Sequence, residues 1–400
     1  MSLLYESTGN VRWPFRLFFS HRLFPSATDH PTETMAACAY DEHGDSSKLT
    51  ARRIARPVPV AGQVLIRVVG AGCNPVDVKL RENPIPRFYL PLPKVPGTDI
   101  SGVVVRSPGG SAFSAGDRVV AMLPIEGSTW GACEEYVAVD ESLVARAPTN
   151  TPLLHAAALP LVGLTVVQAM EPVVRAFGGQ TEGKTVLVHA ASGGVGSIAV
   201  QYCAHVLGMR VVATCSAANA QFVRDLGASQ VIDYKKEKFE AVLGPESCDV
   251  VIDVLAYLYE ERAWKAKLLK TPGHYVVIAS SPWEKGPESG ADPLGFAIPE
   301  ARVDRLLVGY TRSFLSKTLY SQRRHFVFVR PDGKQLAELV RLVDAGKVRP
   351  PVSELSYTLE RTRDAHEQVA SGHTRGKIVI QVSSEEEAAR EASAPVAAAS

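Results

Sequence analysis

Lys184-Thr-Val-Leu-Val-His-Ala-Ala-Ser-Gly-Gly-Val-Gly196 is the stretch whose reading decides the fold. Thr185 to Val188 is a short apolar, β-branched run of the kind buried in a parallel sheet, and it feeds directly into three glycines. Residues 198–207 then carry apolar side chains at helical spacing, so the order is strand, glycine turn, helix. Such a turn offers backbone N–H groups at a helix N-terminus, where a dinucleotide pyrophosphate can sit and the helix dipole favours its negative charge. The expected holders are Ser192, Gly193, Gly194, Val195 and Gly196. The G-x-G-x-x-G spacing is incomplete, because Ala191 stands where the first glycine belongs. A glycine-rich turn that holds no ligand is the plain alternative.

Working outward, the pattern alternates. Residues 161–170 have the length and apolar character of a linker helix under a sheet. Further strands are expected at 209–214, 229–233, 249–254, 273–279 and 325–329, with a helix at 220–226 between the first two of these. This alternation predicts a doubly wound parallel sheet. Upstream the pattern changes to short strands with Gly/Pro turns. Residues 35–40, 63–70, 95–105, 113–121 and 131–139 read as strands or turn-strand units, and 71–77 as a turn into a short helix. Many short strands with few helices predict a small, partly open β-barrel.

The chain has 400 residues, 46% of them hydrophobic, which is ample for two domains. A formal net charge of +1 with interspersed signs gives no nucleic-acid footprint. Six scattered cysteines without a C-x-x-C pair suggest neither a zinc ribbon nor a disulfide framework, so a reducing compartment fits. No apolar run approaches the ~20 residues of a membrane span. Residues 7–28 hold Arg12, Arg16, His21 and Arg22 among aromatics with no acid, the composition of a mitochondrial presequence; a dispensable extension is the alternative. Residues 383–400 lack apolar periodicity and read as a disordered, solvated tail with at most one frayed helical turn.

The ordered motifs Asn74-Pro-Val-Asp77, Pro96-Gly-Thr-Asp99, Gly116-Asp-Arg-Val119, Gly131-Ala132 with Glu135-Tyr136, and Ala190 to Gly196 resemble the medium-chain dehydrogenase/reductase superfamily. Within it the chain resembles the zinc-independent quinone and enone reductases. Residues 211–216, 223–228, 231–234 and 343–350 point to the branch of reticulon-interacting mitochondrial proteins. The resemblance spans about 36–382 and implies an α/β fold, a GroES-like partly open β-barrel plus a doubly wound Rossmann-type parallel sheet. The domain reading is an N-terminal extension over 1–34, a GroES-like catalytic domain over 35–160, a nucleotide domain over 161–346, a return to the catalytic domain over 347–382, and the tail. It also implies a homodimer, formed by extending the nucleotide sheet, and a mitochondrial or cytoplasmic setting.

Zinc enzymes of this superfamily place a histidine in a segment that reads Gly97-Thr98-Asp99 here, and a threonine hydroxyl is a poor zinc ligand. Cys73 has no histidine partner there and reads as a packed residue; no metal is expected. After the second strand of the sheet stand Thr214-Cys215-Ser216, without the carboxylate that would repel a 2′-phosphate. Ser216, with Tyr234 and Lys235, therefore points to NADPH, although the lysine that relatives carry after the serine is missing and Asn219-Ala220 stand there. Reduction of a quinone or an enone needs donors for a developing oxyanion. Asn74 and Lys79 are the candidates, with Tyr89 at the substrate mouth and Leu123 and Trp130 as apolar walls. Turn capping by Asn74 and solvation of Lys79 are the alternatives, and His189 reads as a packed histidine. The expected function is NADPH-dependent reduction of small-molecule quinones or α,β-unsaturated carbonyls; a mitochondrial enoyl-thioester reductase and a non-catalytic NADPH-binding partner protein remain open.

Overall fold

The structure is a computed structural model that describes residues 33–83, 90–125, 130–255, 259–278 and 323–394. The expectations for the presequence and for Tyr89 lie outside these residues. Among the described residues, fifteen strands fall into three sheets. A two-stranded antiparallel sheet joins β1 (Thr34–Ala39) to β2 (Thr50–Ala55). The barrel sheet takes β3 (Gln63–Cys73), β4 (Asp99–Arg106), β5 (Arg118–Met122), β6 (Tyr136–Asp140) and β7 (Val144–Arg146). The parallel sheet takes β8 (Thr185–Val188), β9 (Arg210–Cys215), β10 (Gln230–Asp233), β11 (Cys248–Asp253), β12 (Leu269–Ile278) and β13 (Arg323–Val327). The chain then returns to the barrel as β14 (Val352–Thr358) and β15 (Lys377–Gln381).

In the parallel sheet the order is β10-β9-β8-β11-β12-β13, so the chain reverses direction of growth between β8 and β11. That reversal opens a crevice at the carboxyl ends of those two strands, and the glycine turn sits in it. The expected strands all form, with ends displaced by a few residues. The expected helix 161–170 is longer, running over Pro160–Ala176 through Pro172. With the short helix before it, Leu153–Ala176 is long and apolar enough to cross a membrane, but 78% of its most apolar window is buried inside the protein, as suits a core helix.

The barrel is organised by β3, whose first half pairs with β6 and whose second half pairs with β15 on the same edge, while β4 lies on the other. Here the sequence reading is corrected. Residues 71–73 are strand, and the turn begins only at Asn74, which caps helix α1 (Pro75–Glu82). Gly72 read as a turn residue, but its role, like that of Gly70 within the expected strand, is close packing against α2 (Leu153–Ala156) and the residue after it. A Cβ on Gly70 would lie 2.7 Å from the Leu154 carbonyl oxygen, and one on Gly72 2.5 Å from that of Ala157. Along the parallel sheet, α3 (Pro160–Ala176) and α4 (Gly194–Gln201) pack together beneath β8 and share one apolar core with it.

The tail is the second correction. Ser384 starts a helix, Glu385–Ala392, with a capping box to Glu387, and buries Ala388. Glu391 on this helix accepts from Arg67 (2.5 Å), the Tyr136 hydroxyl (2.5 Å) and Arg56 (2.8 Å), with Arg56 stacked 3.9 Å over the Tyr136 ring. The segment looked solvated because its apolar content is low; what holds it is a half-buried charged cluster on the barrel's outer face. Residues 395–400 lie outside the description. Glu391→Ala is expected to lower the unfolding free energy by about 1–2 kcal/mol, since it removes the acceptor that two guanidinium groups and a phenol share, although Arg56 keeps Glu33 and Arg67 keeps the Tyr136 hydroxyl. Urea denaturation monitored by circular dichroism measures this, and a loss below the ~0.5 kcal/mol of ordinary surface substitutions would make the helix a passive appendage.

Candidate functional site

The glycine turn begins with Ala190, held at φ +50°, a conformation that costs an L residue energy and that often marks a functional turn. The Ala190 and Ala191 N–H groups are anchored on the Thr214 hydroxyl and carbonyl of β9. Gly193 caps α4, and having no side chain it leaves the first N–H groups of the helix facing outward. The two outer glycines differ in kind. A Cβ on Gly196 would meet the Ala190 carbonyl oxygen at 2.3 Å, so this glycine lets the helix sit on the strand. A Cβ on Gly193 would meet only one atom within 4 Å, at 3.5 Å, so the space over that residue is open to an occupant. The geometry fits a diphosphate: uncapped amides, a dipole end and room above it.

At the end of β9 the polar side chains converge. The Asn219 amide donates to the Ser192 hydroxyl at 3.2 Å and the Ser216 hydroxyl at 3.4 Å. The next strand brings Tyr234 beside Cys215 through an N–H···O bond of 3.3 Å, and Tyr234 and Lys235 are exposed at the same sheet end. Asn219 stands where the sequence shows a missing lysine, yet it ties two predicted binding residues together. His189 is buried between the Phe239 and Tyr259 rings and bonds the Thr214 hydroxyl at 3.1 Å; burial pushes its pKa down to about 3, which keeps it neutral.

The barrel reaches this turn through β15. The Gly376 N–H donates to the Ser192 carbonyl at 2.9 Å, and Lys377, the next residue, projects into the barrel. Its ammonium group, 3% exposed as a residue, donates to the Asn74 amide oxygen and to Asp99, both at 2.5 Å. The Asn74 NH2 in turn faces Asp99 (3.0 Å), the Thr98 hydroxyl (3.2 Å) and the Gly72 carbonyl (3.3 Å). The other Asp99 oxygen accepts from the Leu161 N–H at the start of α3. Asp77 accepts from the Asn74 N–H at 2.8 Å, and burial, opposed by that bond and by Lys377, raises its pKa to about 7. Asn74 is therefore locked on both faces of its amide, and its capping role and its place in the cluster coexist.

Lys79 is half-buried further along α1, Leu123 is buried and Trp130 is exposed. Cys73 is buried in the barrel core, and all six cysteines are free and buried. Among the described residues no group of three or more His, Cys, Asp or Glu side chains is placed to hold a metal. Lys377 and Asp99 escaped the sequence reading. The signal was a lysine opening the apolar strand Ile378-Val-Ile380, since a lysine that deep is almost always paired.

Residues 60–149 match the alcohol dehydrogenase GroES-like domain, and residues 226–380 match the zinc-binding dehydrogenase family. The chain is 33% identical over 361 residues to the 2-methylene-furan-3-one reductase of Solanum lycopersicum, covering 88% of this chain and 79% of that one. It belongs to the medium-chain dehydrogenase/reductase superfamily. It is also 32% identical over 389 residues to the mitochondrial NAD(P)H oxidoreductase RTN4IP1 of Bos taurus, covering 89% and 91% of the two chains. Among solved structures, the quinone oxidoreductase of Coxiella burnetii superposes with a TM-score of 0.70 at 26% identity, over 88% of this chain and all of that one (100%). The Escherichia coli quinone oxidoreductase in complex with NADPH gives 0.68 at 26% identity, over 87% and 100%. The superfamily resemblance and the barrel-plus-Rossmann fold read from the motifs are thereby established.

The buried cluster generates a direct test. Lys377→Met leaves the Asp99 carboxylate in the interior without its cation and is expected to cost about 3–5 kcal/mol of stability. Adding Asp99→Asn removes the stranded charge, so the double variant should lose at least ~1 kcal/mol less than the sum of the singles. Denaturant melts of the three variants decide it, and strictly additive losses would dissolve the pair.

Proposed function

We propose that the chain is a zinc-independent, NADPH-dependent oxidoreductase that reduces quinones or α,β-unsaturated carbonyl compounds. The observation that carries the reading is the open, uncapped N-terminus of α4 at the sheet's switch point, flanked by the Ser192, Asn219 and Ser216 cluster and clamped by Gly376. Backbone amides of Gly193, Gly194, Val195 and Gly196 would hold the pyrophosphate, and Ser216, Tyr234 and Lys235 the 2′-phosphate. When bound there, NADPH supplies the hydride.

The chain's own residues arrange the rest. Asn74, fixed by Asp99 and Lys377, sets the turn opposite the glycine loop and enters as an anchor, because its amide is committed to protein partners. Lys79 and Tyr89 are retained as the side chains that meet the ribose and the substrate. An amide and a hydroxyl bonded to one another at Asn74 and Thr98 are a poor donor set for zinc, which supports metal-free reduction. The names of relatives point the same way: a 2-methylene-furan-3-one reductase, an NADPH-dependent alkenal/one oxidoreductase and chloroplast quinone oxidoreductases. The composition of residues 7–28 together with the mitochondrial relative supports a mitochondrial setting over a cytoplasmic one. A homodimer through β13, the last strand of the parallel sheet among the described residues, is supported by Phe326 in that strand and Phe328 just after it, which are 40% and 65% exposed.

Following NADPH and NADH oxidation at their absorbance band with quinones, enones and enoyl thioesters tests the activity. Turnover with a quinone or enone is expected, and turnover confined to long-chain thioesters would favour the enoyl-thioester reading. If no acceptor oxidises NADPH although it binds, the protein is a nucleotide-binding partner instead. Cofactor choice has its own test: Ser216→Asp should raise the NADPH dissociation constant by roughly tenfold or more, about 1.4 kcal/mol per tenfold step, while changing NADH little. Equal losses for both nucleotides would move the 2′-phosphate site elsewhere.

A further inference from the structure

The chain crosses between its barrel and its nucleotide sheet twice, at 147–152 on the way out and at 345–351 on the way back. The two crossings are tied together. The Asn150 amide donates to the Val343 carbonyl at 2.9 Å, and the Thr149 N–H and hydroxyl donate to one Asp344 oxygen at 2.7 and 2.9 Å. Where they meet a cleft of about 280 Å³ opens, at the lower edge of the ~300–1,000 Å³ typical of small-molecule sites. Asn150 and Thr151 line it from the first crossing, Lys347 and Arg349 from the second, and His205 and Asp225 from the nucleotide domain. His205 belongs to a π-helical turn, Tyr202–Val206, and such turns are rare and recur at functional sites.

The backbone around the cleft is satisfied, but its charged side chains are left over. Gln201, 3% exposed, donates to the Arg349 carbonyl at 3.2 Å and accepts from the Arg349 N–H at 2.9 Å, which fixes the second crossing onto the end of α4. Lys347 and Arg349 are exposed, and among the described residues neither side chain pairs with a carboxylate. Two acceptors accompany these cations. Asp225 takes the Gln221 amide on one oxygen at 2.8 Å, and its other oxygen takes no bond among the described residues. The His205 Nε2 lies 3.0 Å from the Leu226 carbonyl and must carry the proton, which leaves Nδ1 of the neutral ring as an acceptor. Two cations call for an anion, and the acceptors beside them call for hydroxyl groups on the same molecule. A phosphate monoester carries nearly two negative charges at neutral pH, and a guanidinium offers it a paired set of donors.

We propose that this cleft is a regulatory site for a small hydroxylated phosphate monoester, and that its occupant tightens NADPH binding. The cleft stands apart from the reductase reading, and only its effect on NADPH rests on that reading. Two physical routes join it to the glycine turn. Gln201 closes α4, whose other end is the turn itself. Two residues beyond Arg349, the Pro351 carbonyl accepts from the Lys377 N–H at 2.5 Å, next to the Gly376 N–H that clamps Ser192 at 2.9 Å. An occupant that bridges Lys347 and Arg349 to Asn150 and Thr151 steadies both routes, so less ordering is left for NADPH to impose when it binds. By linkage the effect is reciprocal: NADPH must tighten the phosphate ester by the same factor.

The test is calorimetric titration of the full chain with glycerol 3-phosphate at low ionic strength. A dissociation constant of roughly 0.1–1 mM is expected, with no heat from glycerol, and binding should weaken as pH falls through about 6, where the ester loses its second charge. Since phosphate can also settle on the glycine turn, the titration is repeated with NADPH at saturation, where binding should persist and tighten. Lys347→Gln and Arg349→Gln should each weaken glycerol 3-phosphate by roughly tenfold at an unchanged melting temperature, because both side chains are exposed. NADPH binding followed by fluorescence should tighten roughly fivefold or more when glycerol 3-phosphate is present, and both variants should lose most of that gain. Amide exchange across 345–351 should slow in the same mixture. Competition between glycerol 3-phosphate and NADPH, an ester affinity unchanged in both variants, or an NADPH dissociation constant indifferent to the ester overturns the proposal alone. A chain that binds no NADPH overturns the nucleotide reading and the coupling with it, while calorimetry of wild type against the two variants still decides the cleft.

Discussion

One carboxylate with no exposed surface, Asp99, holds the two halves of the molecule in register. One of its oxygens accepts from the first turn of α3, the helix that runs under the nucleotide sheet; the other accepts from Lys377 and Asn74, which belong to the barrel. A bare carboxylate in such a place would cost many kcal/mol in lost hydration. Here three donors and the positive end of a 17-residue helix offset that loss. The gain is geometric: α3, β4, β15 and the Asn74 turn cannot shift separately without exposing a charge to a medium that cannot solvate it.

From that junction the placement of the glycine turn follows. Lys377 follows Gly376, and Gly376 bonds Ser192, so the ion pair and the nucleotide loop are fixed by one dipeptide. Gly376 has φ +72°, and a Cβ there would lie 2.3 Å from the Pro351 carbonyl oxygen. Any side chain at that residue would push β15 away from the turn, and with it the lysine that compensates Asp99. Close backbone approach at Gly70, Gly72, Gly196 and Gly376 is the common device by which this chain brings β3, α2, α4 and β15 within reach of one another.

The parts legible in the sequence were those whose cause is local. Thr185–Val188 was read with its ends correct, and the remaining strands of the parallel sheet to within a few residues, because a buried parallel strand writes its burial on both faces into consecutive apolar residues. The motif order gave the family because many weak signals in one sequence reinforce each other. What failed had distant causes. Gly72 looks the same in a turn and under a helix, and only the helix some 80 residues later decides between them. The helix Glu385–Ala392 has little apolar periodicity, since it docks through Glu391 onto Arg56, Arg67 and Tyr136, all more than 250 residues away in sequence. Lys377 and Asp99 are separated by 278 positions, and an ion pair at that distance leaves no periodic trace.

The cluster at the end of β9 shows how an amide can stand in a polar corner where relatives carry a charged side chain. A lysine at the Asn219 position would bring a full charge and a long, mobile side chain. Asn219 instead bridges two serine hydroxyls with its amide and so fixes their orientation before anything binds. Preorganised neutral donors lose less conformational entropy on binding than a free ammonium does, and they give up the long-range attraction that a cation supplies. Cations remain nearby: Lys235 is exposed after β10, and Arg375 stacks 5.4 Å over Phe222 of the helix that begins at Ala220 while pairing with Glu354. On the proposed reading, discrimination between the two nicotinamide nucleotides falls to Ser192, Ser216 and Asn219 with these charges behind them: no carboxylate follows Thr214-Cys215-Ser216, and the one in register with Cys215 on the neighbouring strand is Asp233.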